Sequence, residues 1–209
     1  MEPAPWTSLS VSGLEVPEGE ANLVLKAARA LEAAAGRPLP ARMRLLKRIP
    51  PGAGLGGGSS DASAALRALS RLYTLDLDTA AVAAALGADV PFFLRGGRAR
   101  AKGRGERLQP LADESWWFAL AWPGIQVSTA AVYERWDACG GEPPNDLQRP
   151  AIDLHPELAA FAEALGQGWR LTGSGSAWFR PCASRAEAEH RLAAVPGWKA
   201  AVRSVPRWA

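Results

Sequence analysis

Apolar and polar positions alternate over most of residues 6–12 (Trp-Thr-Ser-Leu-Ser-Val-Ser), which predicts a half-buried strand. Pro17-Glu18-Gly19-Glu20 then leads into a helix that starts with Asn22-Leu23-Val24-Leu25 and closes near Gly36-Arg37-Pro38. Residues 42–49 predict a strand with charges on one face. After a glycine-rich run, apolar residues at 62, 65, 66, 69, 72 and 73 fall on one face of a helix over 61–73. A shorter alanine-rich helix is predicted over 79–86, with Asp78 as its N-cap and Gly87 as its stop. Asp89-Val90-Pro91-Phe92-Phe93-Leu94 is expected to leave helical geometry, because the residue before a proline is pushed extended. Two short strands at 98–102 and 106–108 form a predicted hairpin, and 116–122 reads as a buried strand ended by Pro123-Gly124. Beyond it, helices at 129–136, 156–165 and 185–194 mix with strands at 169–171, 177–179 and 199–205. Ser184 and Glu187 have the spacing of a capping box. The mixture is α+β in two layers. A composition shift near 111–115 divides the chain into expected domains 1–113 and 114–209.

Composition narrows the class without fixing the chemistry. The 209 residues are 48% hydrophobic and 22% charged, enough for one core or two small ones. No apolar stretch approaches the roughly 20 residues that span a bilayer. The first residues carry neither a basic nor an apolar leader region, so a cytoplasmic protein is expected, with no membrane partner. Cys139 and Cys182, without metal-site spacing, are expected to be free thiols. His155 and His190 are isolated surface or helix-end residues. Net charge is +3, and basic residues gather at Arg95, Arg98, Arg100, Lys102, Arg104 and Arg107. That run lacks the interleaved aromatics of a base-stacking platform, so no nucleic acid partner is expected. Among the nine tryptophans, Trp116, Trp117, Trp122, Trp169 and Trp178 follow strand patterns and are read as core.

The run Pro51-Gly52-Ala53-Gly54-Leu55-Gly56-Gly57-Gly58-Ser59-Ser60 removes side chains where backbone N–H groups can close on an anion. The helix beginning at Ser59 to Asp61 aims its positive end at the same place, and both serines can add hydroxyls. A Walker A loop needs a lysine after its last glycine, and none stands there. The dinucleotide pattern fits at Gly52, Gly54 and Gly57, but the preceding strand is too charged to be buried on both faces. A flexible linker does not sit directly before an amphipathic helix.

At these residues the chain resembles the GHMP kinases. The form from Pro50 and Pro51 to Asp61, together with Leu86-Gly87-Ala88-Asp89-Val90-Pro91-Phe92-Phe93, resembles the 4-diphosphocytidyl-2-C-methyl-D-erythritol kinase family in particular. Matching stretches follow in order over nearly the whole chain: residues 22–28, 123–129, Asn145-Asp146 and 171–177. The resemblance implies a two-domain GHMP kinase fold, with a ribosomal-protein-like N-terminal domain and a ferredoxin-like C-terminal domain. It implies transfer of the γ-phosphoryl of ATP, with Mg2+ as the second cofactor, to the 2-hydroxyl of the cytidine-diphosphate-linked methylerythritol. Pro50, Pro51, Gly52, Ala53, Gly54, Leu55, Gly56, Gly57, Gly58, Ser59 and Ser60 are then the ATP site, with Asn22 near the adenine. Asp89 is the implied base and also a substrate contact. Thr129, Gly173, Ser174 and Gly175 are the other implied substrate contacts; the metal ligands stay unassigned, and a monomer or homodimer is expected. Kinases of the homoserine or mevalonate type are one alternative, which the block around Asp89 disfavours, and a nucleotide-binding or RNA-contacting module on the same N-terminal fold is another, which a steep salt dependence of RNA binding without ATP turnover would support.

Two of the family's features do not occur here, an Ala-Lys-x-Asn-Leu strand and a Gly-x-Arg-x-Asp-Gly-Tyr-His block. The first supplies a lysine for the transferred phosphoryl, the second aromatic residues for the cytidine. Lys26, Lys47, Lys102 and Lys199 stand in otherwise explained places. Without those strands, the N-terminal sheet is expected to show an unpaired edge and apolar surface. Two accounts stay open: the protein extends upstream of Met1, or it is a relative that binds nucleotide without efficient catalysis. The intact later blocks favour the first.

Overall fold

The computed structural model describes residues 1–103, 105 and 107–207. The chain separates into two compact units. Of the described residues, one unit holds Met1–Ile49, those in Gly56–Asp113 and 205–207; the other holds Pro50–Leu55 and Glu114–Ser204. A single cut at 113 therefore does not describe it, because the short segment Pro50–Leu55 groups with the later residues.

In the first unit, strands β1 (Glu2–Pro3) and β2 (Ser8–Gly13) lie on either side of β3 (Ala41–Lys47). β1 runs antiparallel to β3, whereas β2 runs parallel to it from Ser8 opposite Arg42 to Gly13 opposite Lys47. A parallel pair needs a crossover, here helix α1 (Leu23–Ala35). Asn22 caps α1, its Oδ1 accepting from the Val24 N–H at 2.9 Å, and Gly36 ends it in the left-handed region. α1 packs on helix α2 (Gly57–Leu72) through Leu25, Ala28 and Leu31 on one side and Ala62, Leu66 and Leu69 on the other. Full burial of a leucine stabilises a fold by about 1.5–3 kcal/mol, and Leu31, Leu66 and Leu69 are all fully buried. The Tyr73 hydroxyl, just past α2, donates to the Pro40 carbonyl at 2.6 Å and ties the helix end to the start of β3. β2 is an edge strand, and Trp6 and Leu46 stand exposed.

Helix α3 (Thr79–Leu86) is capped by Asp78, whose carboxylate accepts from the Ala80 N–H at 2.9 Å. The next segment corrects the sequence expectation: Val90–Arg95 is a helix, α4, not an extended segment. Pro91 falls in its first turn, where the missing N–H would have no partner anyway, so the proline starts the helix instead of breaking it. β4 (Ala99–Lys102) and β5 (Arg107–Pro110) form the antiparallel hairpin. Arg104 of the basic run and Glu106 of the predicted second strand lie outside the described residues.

In the second unit, the order of elements is β6 (Trp117–Trp122), α5 (Thr129–Cys139), α6 (Gln148–Leu154), α7 (Glu157–Leu165), β7 (Arg170–Leu171), β8 (Trp178–Cys182), α8 (Arg185–Leu192) and β9 (Trp198–Arg203). The sheet runs β7-β8-β6-β9 with every neighbour antiparallel, the ferredoxin-like arrangement. Ala119, Ala121 and Cys182 pack under Ala188 and Leu192 of α8, while Trp178, Leu171, Val132 and Leu158 form a second core patch. Ser184 caps α8 with its hydroxyl on the Glu187 N–H at 3.1 Å, and Glu187 reaches back to the Ala183 N–H at 2.8 Å. α6 has no counterpart in the sequence reading, since it is seven residues long with Pro150 near its start. Arg135 of α5 grips Asp153 of α6 through Nε at 2.9 Å and Nη2 at 2.6 Å, which raises the guanidinium pKa further above its ordinary value. Both cysteines are free thiols. Trp116 departs from the core reading: it is exposed and its indole N–H donates to Glu114 at 2.7 Å. No helix among the described residues is long and apolar enough to cross a membrane.

Candidate active site

The glycine-rich run places its last residues at the start of α2, in the first unit. Gly56 is the N-cap residue, at φ 65° and ψ 18°, a left-handed conformation that costs other residues about 1–2 kcal/mol. A Cβ there would also lie 2.7 Å from the Phe93 ring of α4. The helix begins at Gly57, two residues before the predicted start, so Ser59 and Ser60 stand within its first turn. No side chain caps it. The N–H groups of a first turn have no partner inside their own helix, so this end presents free donors together with the positive pole of the helix dipole. An anion fits that chemistry.

Beneath the same turn lies a buried charge. The Lys47 side chain, at the end of β3, is 3% exposed and its Nζ lies 2.5 Å from Asp61 Oδ2 in α2. A Cβ on Gly57 would lie 2.9 Å from that ammonium and 2.7 Å from Ile49 Cγ2, so the helix start rests directly on the strand end. Asp89 occupies the N-cap position of α4, exposed, and its carboxylate makes no capping bond. Among the described residues no side chain pairs with it. Only its carbonyl is engaged, by the Phe93 N–H at 3.4 Å.

In the second unit, Pro50–Leu55 lies along the small-residue turn between β7 and β8. The Ala53 carbonyl accepts from the Ala177 N–H and from Thr172 Oγ1, each at 3.0 Å. The Val127 N–H donates to the Gly52 carbonyl at 3.1 Å. Gly54 adopts φ +70°, and a Cβ there would lie 2.3 Å from the Thr172 carbonyl oxygen and 2.8 Å from that of Gly175, so only glycine permits this approach. The turn itself is held from three sides. Thr129 Oγ1 and Ser174 Oγ share a hydrogen bond of 2.9 Å. Asn145 Nδ2 donates to the carbonyls of Leu171 at 3.1 Å and Gly173 at 2.8 Å. The Trp122 indole N–H donates to Ser176 Oγ at 2.9 Å, and that hydroxyl donates to the Ile125 carbonyl.

Residues 22–97 match the family described as GHMP kinases N terminal domain. 4-Diphosphocytidyl-2-C-methyl-D-erythritol kinase of Thermus thermophilus is 42% identical over 205 residues, covering 87% of this chain and 74% of the relative. The enzyme of the same name from Hyphomonas neptunium is 40% identical over 228 residues, covering 93% and 76%. The chain belongs to the 4-diphosphocytidyl-2-C-methyl-D-erythritol kinase family. A crystal structure of 4-(cytidine 5'-diphospho)-2C-methyl-D-erythritol kinase superposes with a TM-score of 0.74 at 39% identity, over 98% of this chain and 84% of that one. Mevalonate kinase from L. major shares the fold at a TM-score of 0.67 and 18% identity, over 98% and 84%. The protein is thus an ATP-dependent phosphotransferase of the non-mevalonate isoprenoid pathway, with the α+β GHMP kinase fold. It spans about three quarters of the length of the curated relatives it matches.

For a member of this family, the structure brings some expected residues together and gives others plainer work. Thr129 meets Ser174 beside Gly173 and Gly175, and Ala53 and Gly54 lie on Thr172. Asn22 is 8% exposed, with Oδ1 on the Val24 N–H and Nδ2 on the Pro17 carbonyl at 2.6 Å; its amide serves the α1 cap. Lys47 is the residue that sequence reasoning passed over, although a signal for it was present. Ala41, Met43 and Leu45 alternate onto the inner face of β3, and the next inward position is Lys47. A lysine in that place must be buried and must find a counter-charge.

Proposed function

We propose that this kinase transfers the γ-phosphoryl of ATP to the 2-hydroxyl of 4-diphosphocytidyl-2-C-methyl-D-erythritol, with Asp89 as the base. The observation that carries the reading is the uncapped first turn of α2, entered through the left-handed Gly56 under the Phe93 ring. Its free N–H groups and dipole suit the β- and γ-phosphates, and the hydroxyls of Ser59 and Ser60 add donors at the same turn. Ala53 and Gly54, fixed on Thr172, hold the preceding segment of the run in one shape.

Phosphoryl transfer asks mainly for positioning and neutralisation of charge. Mg2+ would accompany the nucleotide and would reduce the negative charge of its phosphates. It keeps several waters and few protein ligands, and Ser59 or Ser60 Oγ would serve it in this chain. Asp89, exposed at the start of α4 and without a side-chain partner among the described residues, is free to take the proton of the attacking hydroxyl. As the hydroxyl oxygen bonds to the γ-phosphorus, the bridge to the β-phosphate breaks and ADP leaves. Thr129, Gly173, Ser174 and Gly175 would position the acceptor, and Asn145 would keep their turn in register. The enzyme acts in the cytoplasm as a monomer or homodimer, and its two domains follow the units described above.

Asp89→Asn tests the assignment. A positioned base is typically worth about 10²–10⁴-fold in rate, so turnover of the cytidyl substrate should fall by that order while ATP still binds. Near-normal turnover would remove Asp89 from the role.

A further inference from the structure

The helical face of the second unit contains a cavity of about 570 Å³, none of whose lining residues is among those assigned above. It opens between α7 and α8, over the strand ends that lead into β7 and along β8. Its volume lies in the range of small-molecule sites, about 300–1,000 Å³. Phe161, Leu165, Trp169 and Val195 give it an apolar lining. Arg180 and Arg191 supply its charged groups and His190 an imidazole, and no carboxylate lines it.

Arg180 decides the chemistry. Its Nη1 donates to the Gln167 carbonyl, and its guanidinium lies so close to Gly168 that a Cβ there would be 3.1 Å from Cζ. The group is therefore held against the chain, and its remaining N–H donors have no partner among the described residues. Among the described residues no carboxylate pairs with it, whereas Arg191 meets Glu187 on the surface of α8 at 3.7 Å. A fixed guanidinium fork beside an aromatic and aliphatic lining matches an oxyanion attached to an apolar body. A bare anion would leave the apolar lining in water, and a neutral hydrocarbon would leave the guanidinium unanswered.

We propose that this cavity is a binding site for a small organic anion, an apolar aryl or alkyl group bearing a phosphate or carboxylate, separate from the nucleotide and acceptor sites. The probes are 1-naphthyl phosphate and n-octyl phosphate, titrated into the full chain by calorimetry and by Trp169 fluorescence, with and without saturating ATP. At least one should bind one per chain, undisturbed by ATP and at least about tenfold tighter than inorganic phosphate or 1-naphthol. Arg180→Gln should weaken binding about tenfold or more, the usual scale for a charge-assisted hydrogen bond. Ala194→Trp, which fills the cavity from an exposed helix end, should abolish it. Arg191→Gln, at an exposed site that the fold does not need, should weaken it more modestly. The proposal is overturned if neither probe saturates, if ATP displaces the probe, if inorganic phosphate binds equally well, or if the filled variant binds like the parent.

Discussion

Replacing Lys47 by methionine separates two jobs that one buried ammonium can do. The substitution keeps most of the apolar stem and removes the charge that lies 2.5 Å from Asp61. Breaking a buried pair by removing one partner costs about 3–5 kcal/mol. Asp61 is 20% exposed and can regain some water, so a loss of about 2–3 kcal/mol is the better expectation. For a chain of this length that is roughly 5–10 °C in the unfolding midpoint. The second effect is electrostatic. Asp61 sits four residues beyond Gly57, roughly 6 Å along the helix axis. Unneutralised, its carboxylate opposes an anion at the helix end by about 2–3 kcal/mol at an effective dielectric of 20. ATP affinity should therefore fall by about thirty- to a hundred-and-fiftyfold. The double variant Lys47→Met with Asp61→Leu removes both charges, and should recover most of the stability and most of the ATP affinity. Urea denaturation followed by circular dichroism gives the first quantity, and calorimetric titration with an ATP analogue gives the second. If Lys47→Met unfolds but binds ATP as the parent does, the pair is only a brace. If it changes neither, the reasoning fails altogether.

The other predictions address the turn and the base. Gly54→Ala forces a Cβ onto the Thr172 and Gly175 carbonyls at a positive φ; it should cost about 3 kcal/mol of stability and raise the KM for ATP sharply, read by thermal unfolding and initial rates. Asn145→Ala leaves the Leu171 and Gly173 carbonyls without their donor, and should lose about 1–3 kcal/mol with a rise in the KM of the cytidyl acceptor. Thr129→Val removes the partner of the buried Ser174 hydroxyl, and should weaken acceptor binding severalfold while the KM for ATP stays put. Asp89→Asn should do the reverse of Lys47→Met, lowering kcat by orders of magnitude with ATP affinity kept.

What the sequence disclosed was whatever depends on local chemistry. Asp78 and Ser184 cap helices because a short side-chain oxygen satisfies orphan N–H groups two or three residues on, a rule with few competitors. The apolar stripe over 62, 65, 66 and 69 became the buried face of α2, since nothing else in that stretch could face the core. The misses arose where two local rules compete or where the partner is distant. Pro91 both disfavours helix before itself and suits a first turn, and packing of α4 on α2 through Phe93 settled the choice. The grip of Asn145 on the turn carbonyls spans 26 and 28 residues, so no window along the chain could reveal it. Trp116 stood in an apolar strand pattern, but it precedes β6 and finds Glu114 and water instead of the core.

Lys47 also bears on which group neutralises the transferred phosphoryl. At 3% exposure, and bonded to Asp61 beneath Gly57, its ammonium faces the inside of the first turn of α2. Although an ammonium has donors to spare, the side chain lies 3% exposed beneath Gly57 and is shielded from a phosphate held outside the turn. Its role is therefore to cancel Asp61 and so leave the free N–H groups of the helix start as the net field felt by ATP. That role acts on nucleotide affinity and hardly at all on the chemical step, whereas the base role proposed for Asp89 acts on the step and hardly on affinity. The two variants are accordingly orthogonal: Lys47→Met should move the KM for ATP at nearly constant kcat, and Asp89→Asn should move kcat at nearly constant KM. A fall in kcat for Lys47→Met at saturating ATP, as large as that for Asp89→Asn, would mean that the ammonium reaches the reacting phosphoryl after all.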